Sequence, residues 1–482
     1  MKEKVKQEHD VRVENVYQLN GRVPIANAIP FGLQHVLAMF VANVTPLIII
    51  ASVAVYDGQP FSAVETARLI QNCMLIAGLG TLVQLYPIWK VGSGLPIVMG
   101  LSFTFLAASM SAASKDYGIM VGAIIVGGIF EGILGLTAKY WRKIISPLLS
   151  SCVVVAIGLS ILNVGVSSFA SCGDKYPVGA WQNLLVATLT LIAALVFHIR
   201  MKGVAKQMYV LFGLIFGYII SIFFGMVDFG AMGDTIKEMG VFSVPELFAF
   251  KPKFQAGAII SFCLVFMVSA VETIGDTTAA CTGGLGRDIT EKEVSGSLCC
   301  DGFMSAISGG VFGCSPITSF SQNVGLIAMT HVVNRFCIMF GALAMILGGL
   351  FPPIGAFFTT LPDCVLGGCT VIMFGSIMMA GIKMMIDAGL DNRNTLIAAT
   401  AICLGVGVTQ VEGFFDYMPS IIGEIFAGNM VAGVFVVGLI MEILLPKDPA
   451  KYEAVVQRID EEMDIDTHLF YEESGEQNKE AE

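Results

Sequence analysis

Gly100-Leu-Ser-Phe-Thr-Phe105 is a short stretch that favours β structure and interrupts an otherwise apolar segment, residues 95–113. Glycines stand just before it. A similar stretch, Pro316-Ile-Thr-Ser-Phe320, opens the apolar segment 316–332 in the other half of the chain. The fold depends on the apolar segments around these two stretches and on whether the two stretches pair with each other.

Long apolar segments dominate the rest of the chain. Of its 482 residues 55% are hydrophobic and 13% are charged, and the mean hydropathy is +0.77, so there is too little polar surface for a soluble globule of this size. Apolar stretches of roughly 18 residues or more, enough for a helix to cross a bilayer, recur from residue 26 to residue 446. We therefore predict an all-α polytopic membrane protein with about fourteen spans and short β-strands in the third and tenth. The predicted spans lie near residues 26–53, 67–88, 95–113, 118–138, 145–165, 181–199, 206–227, 256–280, 294–311, 316–332, 336–356, 360–382, 394–411 and 427–445.

The net charge of -11 comes largely from the tail that follows Pro446. This acidic tail, residues 447–482, has few apolar residues, and we expect it to be solvated and poorly ordered. An acidic balance without a basic, aromatic-rich patch argues against a nucleic-acid partner. The 12 cysteines show no CxxC or Cys/His spacing, which predicts small buried residues rather than a metal site.

Lysine and arginine residues gather in alternate loops, as expected for helices that cross a membrane back and forth. The N-terminal segment and every second loop carry them, ending at Lys447 and Lys451. The loop 229–255 is the exception because it mixes lysines with acids, but long loops escape the rule. We therefore expect a multi-pass protein of the inner or plasma membrane with both termini in the cytoplasm.

About fourteen spans divide into two sets of seven, and a second set with an odd number of helices inserts upside down. A helix broken at membrane depth exposes backbone N–H and C=O groups, which are costly unless they find partners. We therefore predict that the stretches 100–105 and 316–320 pair with each other. Half-helix N-termini would then face a central cavity and favour an electron-rich or anionic ligand. The alternative is that the glycines and the proline only permit close helix packing.

Four ionisable residues inside predicted spans are candidates for function, because charged groups there are costly and often functional. Glu272 and Asp276 are spaced four residues apart, which places both on one helix face. Asp301 has no basic partner nearby in the sequence, which makes it a candidate proton carrier. The alternatives are a structural role for Glu272 or Asp301 and simple solvation for Asp276. His35 is more often a hydrogen-bonded core residue than a ligand.

Other embedded residues give weaker patterns. Glu131 and Glu442 also fall within predicted spans, but nothing clusters around them in the sequence, so we interpret both as structural. Phe103 and Phe320 lie one on each interrupting stretch, and they are either ordinary packing residues or two faces for stacking a flat ring. His198 lies at a loop end and carries little signal.

The segment Ser321-Gln-Asn-Val-Gly-Leu-Ile-Ala-Met-Thr330 resembles the signature of the nucleobase-ascorbate transporter family, which is Gln-Asn-x-Gly followed by four residues and Thr. The resemblance covers the chain from about residue 25 to residue 446. Further matching positions are Gln34-His35 in the first span, the Ser-Phe pair of the third, Glu272 and Asp276 in the eighth, and Asp301 in the ninth.

The resemblance implies two inverted repeats that form a core domain and a gate domain, and a homodimer. Spans 1–4 and 8–11 would make the core, and spans 5–7 and 12–14 the gate. On this sequence the parts would be a cytoplasmic N-terminal segment 1–24, core 25–140 and 256–356, gate 141–228 and 357–446, an extracytoplasmic loop 229–255, and a cytoplasmic tail 447–482.

The resemblance also implies roles for individual residues. In the family, one acid binds the base directly, a glutamine hydrogen-bonds it and two aromatic side chains flank its ring, while other polar residues couple protons or shape the site. The matching positions are Glu272, Gln322, Phe103, Phe320 and Ser102 for the substrate, Asp301, Asp276, Asn323 and His35 for proton coupling, and Gly325 and Thr330 for the motif.

Gln322 resembles the branch that takes xanthine and uric acid, whereas uracil carriers tend to have Glu at this position. A neutral amide donates and accepts hydrogen bonds, which suits the imide edge of an oxidised purine. His331 and Val324 depart from the family pattern, which usually has Arg, Lys or Gly after the Thr and often a second Asn. The sequence thus predicts proton-driven symport of a purine base by a protein that is not an enzyme and needs no cofactor. A permease for uracil or other bases and an anion exchanger of the same architecture are the alternatives.

Overall fold

The computed structural model describes residues 11–141, 146–173 and 175–445, and the predicted acidic tail lies outside them. These residues form a helical body with two small antiparallel β-sheets. Helices α1 to α10 are Ile25–Val53, Ala63–Leu85, Leu106–Ala113, Tyr117–Leu136, Ala138–Trp141, Pro147–Ser160, Leu162–Ala170, Trp181–Arg200, Val204–Gln207 and Tyr209–Phe223. Helices α11 to α20 are Phe229–Met239, Ala256–Ala280, Glu291–Gly310, Ser321–Thr330, Arg335–Gly349, Pro352–Thr359, Asp363–Asp387, Asn392–Gln410, Ser420–Phe426 and Met430–Leu444. Strands β1 to β4 are Val55–Tyr56, Gln59–Pro60, Met99–Leu101 and Ile317–Ser319.

Seven helical segments of the described chain are long and apolar enough to cross a membrane, or up to nine if each of two bent helix pairs is one span. Other predicted segments are divided between a strand and a short helix: α3 has 8 residues and α14 has 10. The bent pairs are α15 with α16, at 76°, and α19 with α20, at 102°. The chain is therefore a multi-pass membrane protein in which broken helices lower the number of simple spans below the predicted count.

Strands β3 and β4 pair antiparallel in the interior, which confirms the predicted meeting of the two interrupting stretches. Gly100 is needed at this crossing, because a Cβ there would lie 2.7 Å from the Asn43 amide oxygen and 2.9 Å from the Phe320 ring. The register pairs Met99 with Ser319, Gly100 with Thr318, and Leu101 with Ile317.

Side chains from the surrounding helices accept hydrogen bonds from backbone N–H groups at the outer edges of this strand pair. These groups need protein partners because they are buried away from water. Asn43 of α1 and Thr81 of α2 accept hydrogen bonds from backbone N–H groups of β3 at 2.8 and 3.0 Å. Ser305 and Asp301 of α13 each accept one from β4 at 3.1 Å. The predicted strands are thus stabilised by polar residues from both halves of the chain.

Helices α4 and α13 pack with their backbones in close contact. A Cβ at Gly302 would lie 2.2 Å from the backbone nitrogen of Gly132, and one at Gly128 would lie 2.6 Å from that of Ala306. Neither neighbour can move without moving a helix, so these glycines set the separation of α4 and α13. Close packing through glycine, which the sequence left as an alternative for the broken segments, is thus present elsewhere in the fold.

Several predicted loops contain short helices or strands. The predicted loop 229–255 contains the 11-residue helix α11. Beyond α11, the Lys253 ammonium group lies 2.6 Å from Asp116 and 3.1 Å from Asp57, so it joins this loop to α4 and to the β1–β2 hairpin. These bonds raise the pKa of Lys253 above its ordinary value.

An ion pair joins the segment before α13 to the first turn of this helix. The Arg287 guanidinium lies 2.6 Å from the Glu293 carboxylate, and Thr290 and Glu293 form a capping box. Burial acts to raise the pKa of Glu293, but hydrogen bonds from Arg287 and Thr290 outweigh it and hold this pKa below its ordinary value. The carboxylate therefore stabilises the helix start at neutral pH.

Candidate functional site

A cavity of about 570 Å³ lies between two groups of helices. One wall comes from α1, α12 and the start of α14, all of which belong to the predicted core domain. The other wall comes from α6, α8, α9, α10, α17 and α20, which belong to the predicted gate domain. Cavities of roughly 300–1,000 Å³ hold small organic ligands, so this one has a suitable size for a single-ring or double-ring molecule.

The core wall presents four polar side chains to the cavity. Glu272 and Asp276 come from α12, and Ser321 and Gln322 are the first two residues of α14. The four-residue spacing of the two acids does place them on one helix face. Among the described residues that line the cavity, none is Lys or Arg. The core wall can therefore accept hydrogen bonds from a ligand without offering it a permanent positive charge.

Glu272 is oriented by a residue that the sequence did not indicate as part of the site. Thr104, in the turn Phe103–Phe105 after β3, donates a hydrogen bond from Oγ1 to Glu272 Oε2 at 2.6 Å. This is the one hydrogen bond that Glu272 makes to a described residue, so Oε1 stays available to a ligand. The only sequence signal for Thr104 was its place inside the stretch 100–105, beside Phe103.

Asp276 is held at the start of α14. Its Oδ2 accepts a hydrogen bond from Ser321 Oγ at 2.9 Å and a longer one from Ser319 Oγ at 3.4 Å. Asp276 is therefore both a cavity residue and a bonded one. The N-terminus of α14 meets the cavity, as the sequence predicted, whereas no residue of α3 lines it.

Asp301 lies behind the cavity wall and is fully buried. Its Oδ2 accepts hydrogen bonds from Thr273 Oγ1 at 2.5 Å and from the Ser319 backbone N–H at 3.1 Å. Oδ1 has no hydrogen-bond partner among the described residues. Because Thr273 follows Glu272 directly, the carboxyl group of Asp301 is bonded to the helix turn that carries the cavity acid.

His35 and Asn323 form a buried pair that does not line the cavity. Asn323 Oδ1 accepts a hydrogen bond from the Val98 backbone N–H at 3.0 Å, so its amide nitrogen is the donor to His35 Nδ1 at 2.6 Å. The imidazole must then be neutral with its proton on Nε2. His35 thus acts on the site by orienting Asn323, which in turn holds the segment before β3.

Phe103, Phe320 and Ser102 are buried and are not among the cavity-lining residues of this structure. The Phe103 ring contacts the Phe374 ring edge-on at 5.4 Å, and Ser102 Oγ accepts a hydrogen bond from the Thr104 N–H at 3.3 Å. Phe320 directly precedes the cavity residue Ser321. Both phenylalanines therefore lie close behind the wall, and their contact with a ligand ring stays a prediction.

The other motif positions, Gly325 and Thr330, lie in the middle and at the end of α14. A Cβ at Gly325 would meet no atom within 4 Å, so packing does not require glycine there. Thr330 Oγ1 donates to the Leu326 carbonyl at 2.8 Å and accepts from the Val332 N–H at 3.3 Å. His331 ends the helix in the left-handed conformation, with φ of 55°, which glycine adopts at least cost. A family pattern that permits Gly after the Thr fits this geometry.

The gate wall is largely apolar, but one end of it is polar. His198 of α8, Gln207 of α9 and Tyr209 of α10 line the cavity there, and the His198 and Tyr209 rings are 4.8 Å apart. His198 falls at a loop end in the sequence, where it carries little signal. It reaches the cavity because helix packing brings three separate elements together.

Comparison with known proteins places the chain in a family. The sequence profile of the xanthine/uracil permeases, described as a permease family, matches residues 26–414. The chain is 32% identical over 454 residues to the xanthine permease XanQ of Escherichia coli strain K12, covering 89% of this chain and 94% of that protein. It is 33% identical over 414 residues to the xanthine permease of Bacillus subtilis strain 168, covering 84% and 90%.

Two solved structures show the same fold at low sequence identity. The transmembrane domain of the cyanobacterial bicarbonate transporter BicA superposes with a TM-score of 0.54 at 15% identity, over 87% of this chain and 98% of that one. The murine anion transporter Slc26a9 in its inward-facing state gives 0.57 at 12% identity, over 87% and 68%. This fold consists of two inverted repeats of seven helical segments. Together the profile, the relatives and the motif at 321–330 show that the chain belongs to the xanthine/uracil permease family, the nucleobase-ascorbate transporters, and is a membrane transporter rather than an enzyme.

Proposed function

We propose that the chain is a proton-coupled symporter that carries a purine base, xanthine or uric acid, into the cell by alternating access. The observation that carries this proposal is the asymmetry of the cavity. The core wall presents Glu272, Asp276, Ser321 and Gln322, whereas the gate wall facing them is mostly apolar. A flat base with polar groups at its edge would form hydrogen bonds with the core wall and make apolar contacts with the gate wall.

The binding mode follows from the free hydrogen-bonding groups. Glu272 Oε1 would accept an N–H of the base, while Thr104 keeps the carboxyl group in place. Gln322 offers both an N–H donor and a carbonyl acceptor, which complements the imide edge of an oxidised purine. Phe103 and Phe320 would flank the ring in a conformation where the core has moved relative to the gate.

The structure has features of one end state of an alternating-access cycle. Two of the cavity-lining residues, His198 and Met384, lie in the last turns of α8 and α17, close to the basic residues Arg200 and Lys383. Under the predicted orientation these helix ends are on the cytoplasmic side, so the cavity would extend towards the cytoplasm. At the opposite end, Asn429 of the gate donates a hydrogen bond to Ser261 of the core at 2.8 Å, and α19 packs against α12.

Proton coupling would use the acids of the core. Glu272 faces the cavity, and Asp301 is bonded to Thr273 on the same helix turn, so a proton on either acid would alter the hydrogen bonds of that turn. The proton would be taken up outside and released inside together with the base. The fourteen-span topology, the homodimer and the cytoplasmic termini remain part of the proposal.

An anion exchanger is the second candidate, because the bicarbonate transporter BicA and the anion transporter Slc26a9 share the fold. Two carboxyl groups in the cavity, without Lys or Arg among its described lining residues, argue against a small inorganic anion such as bicarbonate, which lacks the N–H groups of a base. A uracil permease is the other alternative, and the neutral Gln322 argues against it by resemblance to the purine branch.

Uptake of labelled xanthine, uric acid, uracil and guanine in a host without purine permeases tests the proposal. We expect concentrative uptake of xanthine or uric acid that a protonophore abolishes, and loss of that uptake in Glu272→Gln and Gln322→Glu. Uptake of uracil alone, or uptake that resists the protonophore, would contradict the assignment of substrate or of coupling ion respectively.

A further inference from the structure

Glu131 lies within α4 and is fully buried, and neither of its carboxyl oxygens has a hydrogen-bond partner among the described residues. Buried polar atoms in proteins are almost always bonded, so an acid with two unpartnered oxygens needs an explanation. The close contact of α4 with α13 through Gly128 and Gly302 fixes the backbone on either side of Glu131. The side chain therefore cannot reach solvent by a shift of its helix.

The neighbours of Glu131 are acidic or neutral. Asp301 and Cys299 of α13 and Glu272 and Ser269 of α12 are the titratable or polar groups that face it. None of them carries a positive charge. An ionised Glu131 would lie without a counter-charge in a low-dielectric interior, so the carboxyl group must hold a proton in this conformation.

Two further buried polar atoms on the helices that pack against α4 also lack partners in the described part of the chain. Besides the two Glu131 oxygens, Asp301 Oδ1 and Ser269 Oγ are buried and lack partners among the described residues. Asp301 Oδ2, in contrast, is fixed by Thr273 and by β4. Asp301 directly precedes Gly302, whose Cβ would lie 2.7 Å from the carbonyl carbon of Glu131, and the Ser269 helix α12 packs against α4. The free oxygen of Asp301, a hydroxyl group that can donate and accept, and a second acid therefore share one buried region of the core.

On the basis of the proton coupling proposed above, we propose that Glu131 is a second proton-binding group, which exchanges a proton with Asp301 during the transport cycle. In the exchange, protonated Asp301 and ionised Glu131 become ionised Asp301 and protonated Glu131, and the Ser269 hydroxyl passes the proton by accepting one and donating another. No charge is created, so the step needs no other reactant.

The pair of acids would limit the negative charge inside the core. Two neighbouring buried acids do not ionise together, so the pair keeps one proton while the other is taken up or released. Both groups belong to helices of the predicted core domain and would move with it. Glu131 would thus allow Asp301 to lose its proton to the cavity side without leaving two uncompensated charges.

Purified protein in proteoliposomes provides the test, with Glu131→Gln compared with wild type and with Glu442→Gln as the matched control. Glu442 is a membrane-embedded acid of the gate, where it bonds to Ser146, so its amide variant should keep coupling intact. Xanthine counterflow measures exchange without net proton movement, and accumulation driven by a pH gradient measures coupling. Infrared absorption of protonated carboxyl groups reports the proton on Glu131 directly.

We expect Glu131→Gln to keep counterflow close to the wild-type rate, to lose accumulation by about tenfold or more, and to lose one protonated-carboxyl band. Glu131→Asp should keep part of the accumulation. Wild-type accumulation in Glu131→Gln, an unchanged carboxyl band, or equal loss of counterflow and accumulation would each overturn the role of Glu131 while leaving the proposed function intact. Absence of accumulation in the wild type would instead overturn the proposed function, and the role of Glu131 with it.

Discussion

Replacing Thr104 by Val tests whether the orientation of Glu272 governs substrate binding. Valine has nearly the shape of threonine, so the substitution removes the hydroxyl group without opening a cavity. The lost bond is the 2.6 Å contact between Thr104 Oγ1 and Glu272 Oε2. A hydrogen bond to a charged group contributes about 1.5–3 kcal/mol.

At about 1.4 kcal/mol per tenfold change, that loss corresponds to roughly 10- to 150-fold weaker binding of the base. We expect the KM for xanthine uptake to rise by this factor in Thr104→Val, with purified protein showing the same weakening in equilibrium binding. Thr104→Ser restores the hydroxyl group and should bind close to wild type. Size-exclusion profiles establish that both variants fold.

The result that would refute this reasoning is a Thr104→Val protein that folds and binds xanthine as tightly as wild type. Glu272 would then be held by other groups, or would not contact the base. A loss shared equally by Thr104→Ser would indicate that the side-chain methyl position, rather than the hydroxyl group, matters.

Substitutions at three other positions test the packing, the helix cap and the contact between gate and core. Gly302→Ala should lower the stability measured by thermal unfolding in detergent by about 1–3 kcal/mol, because its Cβ would overpack the α4 backbone, whereas Gly325→Ala should not lower it. Glu293→Gln should lower the unfolding temperature near neutral pH. Because the folded-state pKa of Glu293 is depressed, that difference should shrink as the pH falls below about 4, where the wild-type carboxylate becomes protonated. Ser261→Ala removes the hydrogen bond from Asn429, which contributes about 0.5–1.5 kcal/mol to the contact between gate and core. A cysteine probe introduced as Gly428→Cys beside this contact should then be labelled by a thiol reagent roughly 2- to 12-fold faster, because the contact opens more often.

The pairing of the broken segments was predictable because β-favouring residues and unpartnered backbone groups leave few other solutions in a membrane. The spacing of Glu272 and Asp276 likewise fixed their common face. Thr104 was not predictable, because its partner lies 168 residues away in the chain. The same holds for His198, which reaches the cavity only through packing of α8 against α10.

Residue type alone was also an incomplete guide to position. Phe103 and Phe320 lie behind the cavity wall, although the resemblance implied that they flank the ring of the ligand. Glu131 had no neighbours of interest in the sequence, yet the fold places it near Asp301 and Ser269. Helix register and tilt decide such contacts, and neither is encoded in hydropathy.

Accumulation of labelled xanthine by the purified protein in proteoliposomes, under an imposed pH gradient, tests the central claim most directly. We predict that labelled xanthine accumulates above its equilibrium level when the outside is more acidic, and that a protonophore abolishes this accumulation. Unlabelled xanthine should compete with the labelled substrate, whereas uracil should not. Xanthine that only equilibrates across the membrane would contradict proton coupling. Failure to transport any purine base, together with exchange of bicarbonate or chloride, would contradict the account as a whole.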